Sequence, residues 1–199
     1  MNKIFIEGKE RIFIEAYLDF IKIPSINVEL IQLNGWTNLR NADNTFKENS
    51  DAGGRNLVVF DADTIANSGG FKIRKNEIEE MRHRLNLTFA LFLFPNHEKD
   101  GDFEALLEEI VNPSHIGLLD CFSEYEKCIS KYNSLGRKIE YKLPIKKSKI
   151  YSYVDAFPKT KSENEKFKKG DFFFQNKEMW NLESGYLNPL KEFLLTNIK

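Results

Sequence analysis

The stretch Asn56-Leu57-Val58-Val59-Phe60-Asp61-Ala62-Asp63 decides the fold of this chain. Its apolar part combines β-branched and aromatic residues, which favours a short strand buried on both faces, as in parallel sheets. The run ends at two carboxylates, Asp61 and Asp63. Parallel sheets present their ligand-binding residues at the carboxyl ends of the strands. Two acidic side chains fixed there repel each other unless a cation lies between them, so the pattern predicts a Mg²⁺ or Mn²⁺ site.

A simpler interpretation exists, because acidic turn residues after a strand are common. The start of the chain favours the metal site, since the apolar run Lys3-Ile4-Phe5-Ile6 also ends at an acid, Glu7. Gly8 permits a tight turn there, and apolar residues at helical spacing predict a helix over about residues 9–23. Neighbouring parallel strands lie roughly 5 Å apart, so we expect Glu7 to converge with the two aspartates.

The remaining sequence continues the α/β alternation and predicts a mainly parallel central sheet between helices, as in Rossmann-like folds. Further strands are predicted at 28–33 and 88–94, and the stretch 34–55 is expected to be a loop with a short helix. Other helices are predicted near 73–86, from 102, at 118–132 and at 187–197. Apolar spacing from Ile150 to Phe157 fits a helix or a strand, and the charged stretch 159–170 is expected to be a mobile loop.

Composition favours one domain over residues 1–199, with a helical C-terminal elaboration from about 118, because 41% hydrophobic residues can build a sizeable core. No segment approaches the ~20 apolar residues of a membrane span. The early Glu7 argues against a signal peptide. Cys121 and Cys128 would be about 10 Å apart on one helix, too far for a disulfide. They are therefore expected to be reduced core thiols in a cytoplasmic protein.

Several short motifs in this order resemble the TOPRIM domain of topoisomerases, bacterial primases, small nucleases and the overcoming-lysogenisation-defect nucleases. The closer likeness is to small stand-alone TOPRIM-like proteins of unassigned function, and it spans nearly the whole chain. The motifs are Ile6-Glu7-Gly8-Lys9, Phe60-Asp61-Ala62-Asp63 with Gly69-Gly70, Leu93-Phe94-Pro95-Asn96 before Asp100-Gly101-Asp102-Phe103-Glu104, and Leu187-Asn188-Pro189-Leu190-Lys191-Glu192-Phe193-Leu194.

The resemblance implies a Mg²⁺- or Mn²⁺-dependent nuclease whose metal and catalytic carboxylates are Glu7, Asp61, Asp63 and Glu104. Glu7 would bind metal or act as general acid or base, and water would be the nucleophile. The family usually has an acidic residue four positions after the first Glu, where this chain has Arg11. Glu10 precedes it, but a helix turns about 100° per residue and would aim this side chain differently.

Glu104 also has an interpretation that requires no metal. It lies in the first turn of a predicted helix, where acids favour the positive end of the helix dipole. Asp100 or Asp102 would then be an ordinary N-cap of that helix. The resemblance instead makes Glu104 part of the acidic cluster, and both interpretations stay open.

Basic residues are concentrated in the segment 137–149, and the resemblance to the nucleases makes Lys147 and Lys149 candidate catalytic or substrate-binding lysines. A solvated face is the alternative. The net charge of −1 argues against binding nucleic acid through a broadly basic surface. His83, His97 and His115 are scattered, and together with two separated cysteines they give no zinc pattern.

The sequence thus predicts a TOPRIM-like hydrolase of nucleic-acid phosphodiester bonds, acting on DNA or RNA. The chain has no Gly-x-x-x-x-Gly-Lys-Ser/Thr motif, so an ATPase would have to be a separate partner, as in some phage-defence systems. Two alternatives remain. One is a non-catalytic module that binds a nucleotide or a partner protein, and the other is a metal-dependent phosphatase or phosphotransferase.

Overall fold

The computed structural model describes residues 1–8, 10–136 and 138–198. The chain forms two compact units: Met1–Glu109 with Leu182–Lys199 is the first, and Ile110–Asn181 is the second. The predicted helical elaboration from about residue 118 falls largely in the second unit, whereas the last helix belongs to the first. The prediction of a single domain over 1–199 stays a prediction.

A four-stranded parallel sheet forms the centre of the first unit. Its strands are β1 (Asn2–Ile6), β2 (Val28–Gln32), β3 (Arg55–Asp61) and β4 (Ala90–Phe94). Their order across the sheet is β2-β1-β3-β4. The strands predicted to end at Ile6, Phe60 and Phe94 are therefore parallel neighbours, and the predicted α/β, Rossmann-like fold class is confirmed.

Eight α-helices lie in the described residues. They are α1 (Arg11–Phe20), α2 (Asp43–Asp51), α3 (Phe71–Leu85), α4 (Phe103–Glu109), α5 (Gly117–Asn133), α6 (Lys146–Asp155), α7 (Lys161–Lys168) and α8 (Asn188–Asn197). The helices predicted near 9–23, 73–86, 118–132 and 187–197 are confirmed, with ends displaced by a few residues. None of the described helices is both long enough and apolar enough to cross a membrane.

Strand β3 is buried on both faces, as its continuous apolar run indicated. Leu57, Val58, Val59 and Phe60 are fully buried. Successive side chains of a strand point to opposite faces, so each face of the sheet receives two of these residues. Both faces therefore need a covering layer, and the helices supply it.

One face is covered by α2 and α3. Phe46 of α2 stacks on Phe5 of β1 with ring centroids 3.7 Å apart, and Ile78 and Met81 of α3 belong to the same buried cluster. The 3₁₀ helix Trp36–Ala42 precedes α2 and adds Leu39 to this cluster. The predicted loop with a short helix at 34–55 is thus correct in outline.

The opposite face is covered by α1, α4 and α8. Phe103 of α4 contacts Phe94 of β4 and Phe13 of α1, with ring centroids 5.3 and 5.2 Å apart. Phe193 of α8 lies against Phe92 of β4 at 5.4 Å. Aromatic side chains thus join three helices to the edge strand β4, which agrees with the phenylalanine-rich composition.

The second unit has its own apolar core. Ile150, Tyr153 and Val154 of α6 are buried, so the run that fitted either a helix or a strand is helical. Tyr153 donates a hydrogen bond to the carbonyl of Met179, and Trp180 donates from its indole nitrogen to the carbonyl of Phe172 at 2.7 Å.

Two sequence predictions about this unit are wrong. The stretch 159–170 contains α7 and not a continuous loop, because Thr160 and Glu163 form a reciprocal capping box that begins the helix. Cys121 and Cys128 are exposed on α5 and are not core thiols. The buried side of the amphipathic helix α5 is formed by other residues, among them Leu119.

Asn56 connects three elements at the amino-terminal end of β3. Its amide nitrogen donates to the carbonyls of Phe46 and Thr88 at 2.9 and 3.2 Å and to the hydroxyl of Ser50 at 3.0 Å. Its oxygen accepts a hydrogen bond from Asn49 at 2.9 Å. Because this side chain is buried, its hydrogen bonds replace those that water would otherwise make.

We expect Asn56→Ala to lower the free energy of unfolding by about 2 kcal/mol, because two buried carbonyl groups lose their donor. Urea denaturation followed by circular dichroism measures the change. Asn41→Ala is the matched control: Asn41 is exposed, and its loss should cost about 0.5 kcal/mol or less. Equal effects of the two substitutions would contradict this account of Asn56.

Candidate functional site

The carboxyl ends of β1 and β3 lie side by side and carry the predicted acidic residues. Ile6 is the register partner of Val59, so Glu7, which follows β1, is adjacent to the end of β3, where Asp61 lies. The parallel register thus places Glu7 and Asp61 at one edge of the sheet, as expected from the sequence.

Glu7 binds the backbone on two sides. Its Oε1 accepts a hydrogen bond from the N–H of Trp36 at 2.7 Å, and its Oε2 accepts one from the N–H of Asp61 at 3.1 Å. Burial is the main reason that the pKa of Glu7 is raised, against the effect of these two N–H groups. The charges of Asp63 and Glu10 raise this pKa further.

Asp61 lies at the centre of an acidic cluster. Its Oδ1 accepts a hydrogen bond from the N–H of Phe103, the first residue of α4, at 2.8 Å. Its Oδ2 makes no hydrogen bond within the described residues. The pKa of Asp61 is raised well above its usual value, first by burial and then by the charges of four carboxylates: Glu10, Glu7, Asp102 and Glu104. We call these four residues and Asp61 the acidic cluster.

Glu10 is the member of the cluster that the sequence argument did not assign. It is 6% exposed, and its carboxylate accepts a hydrogen bond from the N–H of Gly8 at 2.7 Å. Of the neighbouring charges it raises the pKa of Asp61 the most. Arg11, at the position where the TOPRIM pattern has an acid, is instead half exposed and pairs with Glu15 at 2.9 Å. The negative charge near Asp61 is therefore that of Glu10, the residue before Arg11.

The 100° rotation per residue of a helix does not apply to the side chain of Glu10, because Glu10 is the N-cap of α1 and precedes its first residue. The side chain folds back over the turn toward Gly8 and is not directed by the helix. A glutamate next to a glycine-containing turn is the sequence signal that could have indicated it.

Asp102 has the capping role of the simpler interpretation, whereas Asp100 binds the start of a different helix, α3. Asp102 Oδ1 accepts a hydrogen bond from the N–H of Ala105 at 2.9 Å and so caps α4. Asp100 Oδ1 accepts one from the N–H of Phe71, at the start of α3, at 2.7 Å. Glu104 lies in the first turn of α4, and its charge raises the pKa of Asp61. Its predicted metal role stays a prediction.

Asp63 makes an ion pair, and its backbone is in the left-handed region with φ of 59°. Its Oδ2 lies 2.8 Å from Nη2 of Arg74. Its carbonyl accepts a hydrogen bond from the N–H of Gly101 at 2.7 Å. In the part of the chain that the structure describes, no three Asp, Glu, His or Cys side chains form a group that could hold a metal ion. The predicted metal ligation by Glu7, Asp61 and Asp63 together stays a prediction.

Arg74 is the second functional residue that sequence reasoning missed. It is 4% exposed, and besides Asp63 it pairs with Glu77 at 2.9 Å. Its guanidinium carbon lies 4.5 Å from the ring centroid of Trp36. Gly69 permits this packing, because a Cβ there would lie 2.5 Å from the Cβ of Asp63 and 3.2 Å from Arg74 Nη2. The Gly69-Gly70 pair was the available signal.

Lys147 and Lys149 belong to the second unit, in the first turn of α6. Both are half-buried, and the ammonium of Lys147 lies 5.9 Å from the ring centroid of Tyr151. A cation near an aromatic face is a common structural contact. Their predicted roles in catalysis and substrate binding stay predictions.

His97 has a structural role. Its Nδ1 accepts a hydrogen bond from the N–H of Leu93 at 3.0 Å, and its ring stacks on Phe92 with centroids 5.3 Å apart. Burial lowers its pKa, and the charge of Lys75 acts in the same direction. A neutral imidazole that accepts a backbone hydrogen bond is suited to holding the loop after β4.

The protein thus has a parallel α/β fold, and acidic side chains lie at one edge of its sheet. The chain belongs to the family described as "Protein of unknown function (DUF3226)", whose model matches residues 1–198. No curated protein matches the chain, and no solved structure matches it.

The raised pKa of Asp61 predicts a pH-dependent stability. An acid with a raised pKa binds its proton more tightly in the folded protein than in the unfolded chain. Its contribution to stability is complete below its ordinary pKa of 3.8 and is lost as the pH rises through the raised value. With a chelator at pH 7, Asp61→Asn should raise Tm by about 3 °C, and the difference from the wild type should shrink toward pH 4. Differential scanning calorimetry measures both.

Asp63→Asn is the matched control, because it leaves the buried Arg74 without one of its two carboxylate partners. This variant should lower Tm at pH 7. An unchanged or lower Tm for Asp61→Asn under the same conditions would show that the cluster does not destabilise the metal-free protein.

Proposed function

We propose that the chain is a Mg²⁺- or Mn²⁺-dependent, TOPRIM-like nuclease that hydrolyses phosphodiester bonds of DNA or RNA. The observation that carries the proposal is the placement of Glu7 and Asp61 side by side at the carboxyl ends of β1 and β3. The charges of four carboxylates repel that of ionised Asp61 and raise its pKa. A divalent cation would remove this repulsion, and carboxylate oxygens are its preferred ligands.

A cation would have to be held mainly at Asp61, because the described residues contain no ready group of three metal ligands. Asp61 Oδ1 is used by the N–H of Phe103, which leaves Oδ2 for a ligand. Glu7 and Glu10 are the adjacent carboxylates, and both are held by backbone N–H groups. Bound there, a divalent cation supplies positive charge for a phosphate and acidifies water.

Glu7 is suited to proton transfer. Its raised pKa means that the carboxyl group keeps its proton to a higher pH than an ordinary glutamate does. General acids and bases are most effective when their pKa lies near the working pH. Glu104 contributes charge from α4, and Asp63 contributes through its ion pair with Arg74.

Substrate binding by this chain alone should be weak. Its net charge is −1, and phosphate contacts by lysine and arginine dominate the affinity of proteins for nucleic acid. We therefore extend the proposal to a separate ATPase partner in a cytoplasmic phage-defence system, by analogy with the TOPRIM nucleases that carry an ATPase domain. Lys147 and Lys149 are the proposed catalytic or substrate-binding lysines.

A non-catalytic module that binds a nucleotide or a partner protein is the second candidate. Two observations favour it: Asp63 is paired with Arg74, and the described residues contain no ready group of three metal ligands. Such a module would keep the acidic edge as a binding surface. Cleavage assays separate the two candidates.

We expect cleavage of labelled DNA or RNA to require Mg²⁺ or Mn²⁺. Asp61→Asn and Glu7→Gln should each lower the rate about a hundredfold or more, because they remove the cation ligand and the proton-transfer group. Glu104→Gln should lower the rate substantially if Glu104 helps to bind a second cation, and little if it is only a charge in the first turn of α4. Glu80→Gln is the control, because Glu80 is exposed on α3. The assay should include duplex, single-stranded and structured DNA and RNA, with and without an ATPase encoded beside this chain. If none of these substrates is cleaved, the non-catalytic module is favoured.

The two lysines should differ in their kinetic effects. Lys147→Ala should lower the rate at saturating substrate if this side chain acts on the reacting phosphate, whereas Lys149→Ala should raise KM and reduce its salt dependence. Steady-state kinetics at several salt concentrations measure both quantities. Lys142→Ala is the control, since Lys142 is exposed in the same basic segment. Identical kinetics for all three variants would show that neither lysine contributes to cleavage.

A further inference from the structure

We propose that two copies of this chain form a dimer in which their α5 helices pack against each other in antiparallel orientation. The contact is a stripe of apolar side chains on the exposed side of α5. This dimer goes beyond the proposed cleavage activity and does not depend on the acidic residues at the edge of the sheet.

The stripe recurs along α5 at the spacing of a coiled-coil seam. Its members follow one another at alternating intervals of three and four residues, and they are Leu118, Cys121, Tyr125, Cys128, Tyr132 and Leu135. This spacing keeps the side chains on one side of a helix, where a second helix can pack against them. Leu135 follows the end of α5, and the residue before it still has helical dihedral angles, with φ of −66° and ψ of −11°. We call these six residues the α5 stripe.

The α5 stripe is exposed over most of its length. Tyr125, Tyr132 and Leu135 are 55%, 44% and 61% exposed, and both cysteines are exposed. Leu118, at the start of the stripe, is half-buried. A single exposed apolar side chain requires no explanation, but a contiguous apolar surface of this kind marks an interaction site.

A neighbouring side of α5 already packs within the second unit. Leu119 is buried, and Phe122 and Ile129 are half-buried. Each of these three residues follows a member of the α5 stripe by one position, so the two apolar sides are separated by about 100° around the helix. An amphipathic helix of a globular domain needs one apolar side. The α5 stripe is therefore apolar surface in addition to the side that the fold uses.

The charges beside the stripe indicate that its partner is a second copy. Glu124 and Lys131 lie along one margin, each one residue before a tyrosine of the stripe. An antiparallel second helix brings each Glu124 to Lys131 of the other copy, and the two-fold axis makes this ion pair twice. Glu124 also pairs with Lys127 of its own helix at 2.7 Å, but these side chains are 70% and 72% exposed. Such an exposed pair is weak, so it does not prevent contact with the second copy.

The side chains of the stripe complement one another in the same antiparallel orientation. With the two-fold axis between Tyr125 and Cys128, Tyr125 lies opposite Cys128 of the other copy, and Tyr132 lies opposite Cys121. The leucines at the two ends of the stripe meet each other. Pairs of a large and a small side chain fill the space between helices evenly. A parallel dimer would instead place tyrosine against tyrosine and cysteine against cysteine, and it would lose both ion pairs.

The size of the contact limits its strength. Helix α5 has 17 residues and is therefore about 25 Å long. One such helix from each copy buries less surface than the roughly 1,200 Å² at which stable interfaces begin. We therefore expect an equilibrium between monomer and dimer, with a dissociation constant on the order of micromolar.

Analytical ultracentrifugation of the full-length chain in reducing buffer tests the dimer. Between about 5 and 200 μM, the mass should rise from the 23.3 kDa of one chain toward twice that value. Tyr125→Glu, which places a charge in the central layer, should weaken association at least about tenfold. Ser130→Glu is the matched control, because it adds the same charge on the opposite side of α5 and should leave association unchanged. Both positions are exposed, and circular dichroism verifies that both variants fold.

Charge reversal tests the orientation. Glu124→Lys should weaken association about threefold or more at low salt, because it brings two lysines together twice. Adding Lys131→Glu to this variant should restore association to within about twofold of the wild type. No restoration would overturn the antiparallel pairing.

The two cysteines supply an independent test, because the chain contains no others. In the antiparallel dimer the two copies of Cys128 are displaced by about 4.5 Å along the helix axis, and those of Cys121 by about 16 Å. A short bismaleimide should therefore cross-link Cys121→Ser, which keeps Cys128, and should not cross-link Cys128→Ser. Equal cross-linking of both variants would overturn the antiparallel orientation. A mass of one chain at every concentration, or a dimer that Tyr125→Glu leaves intact, would overturn the α5 contact itself.

Discussion

The parallel pairing of β1 with β3 is the constraint on which the site depends. It brings Glu7 to the N–H of Asp61, and that same carboxylate holds Trp36. One side chain therefore joins two strand ends to the segment before α2. Trp36 then supports Arg74, and Arg74 holds Asp63. The apolar strands determine the backbone register, and the register determines where the charged side chains lie. This explains why the acidic edge forms at this end of the sheet.

Much of this arrangement could be predicted, because its causes are local in the sequence. The run that becomes β3 is apolar on both faces, and such runs belong to parallel sheets with helices on either side. An acid at a strand end has its location fixed as soon as the strand is placed. Glu7 and Asp61 were found for that reason. The position of Glu10 depends on how the turn at Gly8 folds, and that of Arg74 depends on the space left by Gly69. Neither position can be derived from helical periodicity.

Other errors have the same origin. The charged stretch 159–170 looks unstructured by composition, but one capping box between Thr160 and Glu163 is enough to start α7. The exposure of Cys121 and Cys128 follows from which side of α5 faces the core, and a cysteine is apolar enough for either side. Composition thus indicates whether a segment tends to be structured or buried. Single hydrogen bonds and the orientation of a helix determine whether it is.

The discontinuity of the first unit has a consequence for how the chain acquires its structure during synthesis. Residues 110–181 separate β4 from α8 along the chain, yet Phe92 of β4 packs against Phe193 of α8 and the carbonyl of Leu187 accepts a hydrogen bond from Tyr17. A ribosome releases the sheet long before the helix that covers this face. Contacts between such distant segments form late, so the aromatic face of β4 stays exposed while the second unit is being made. A nascent chain at that stage presents an apolar surface of the kind that chaperones bind.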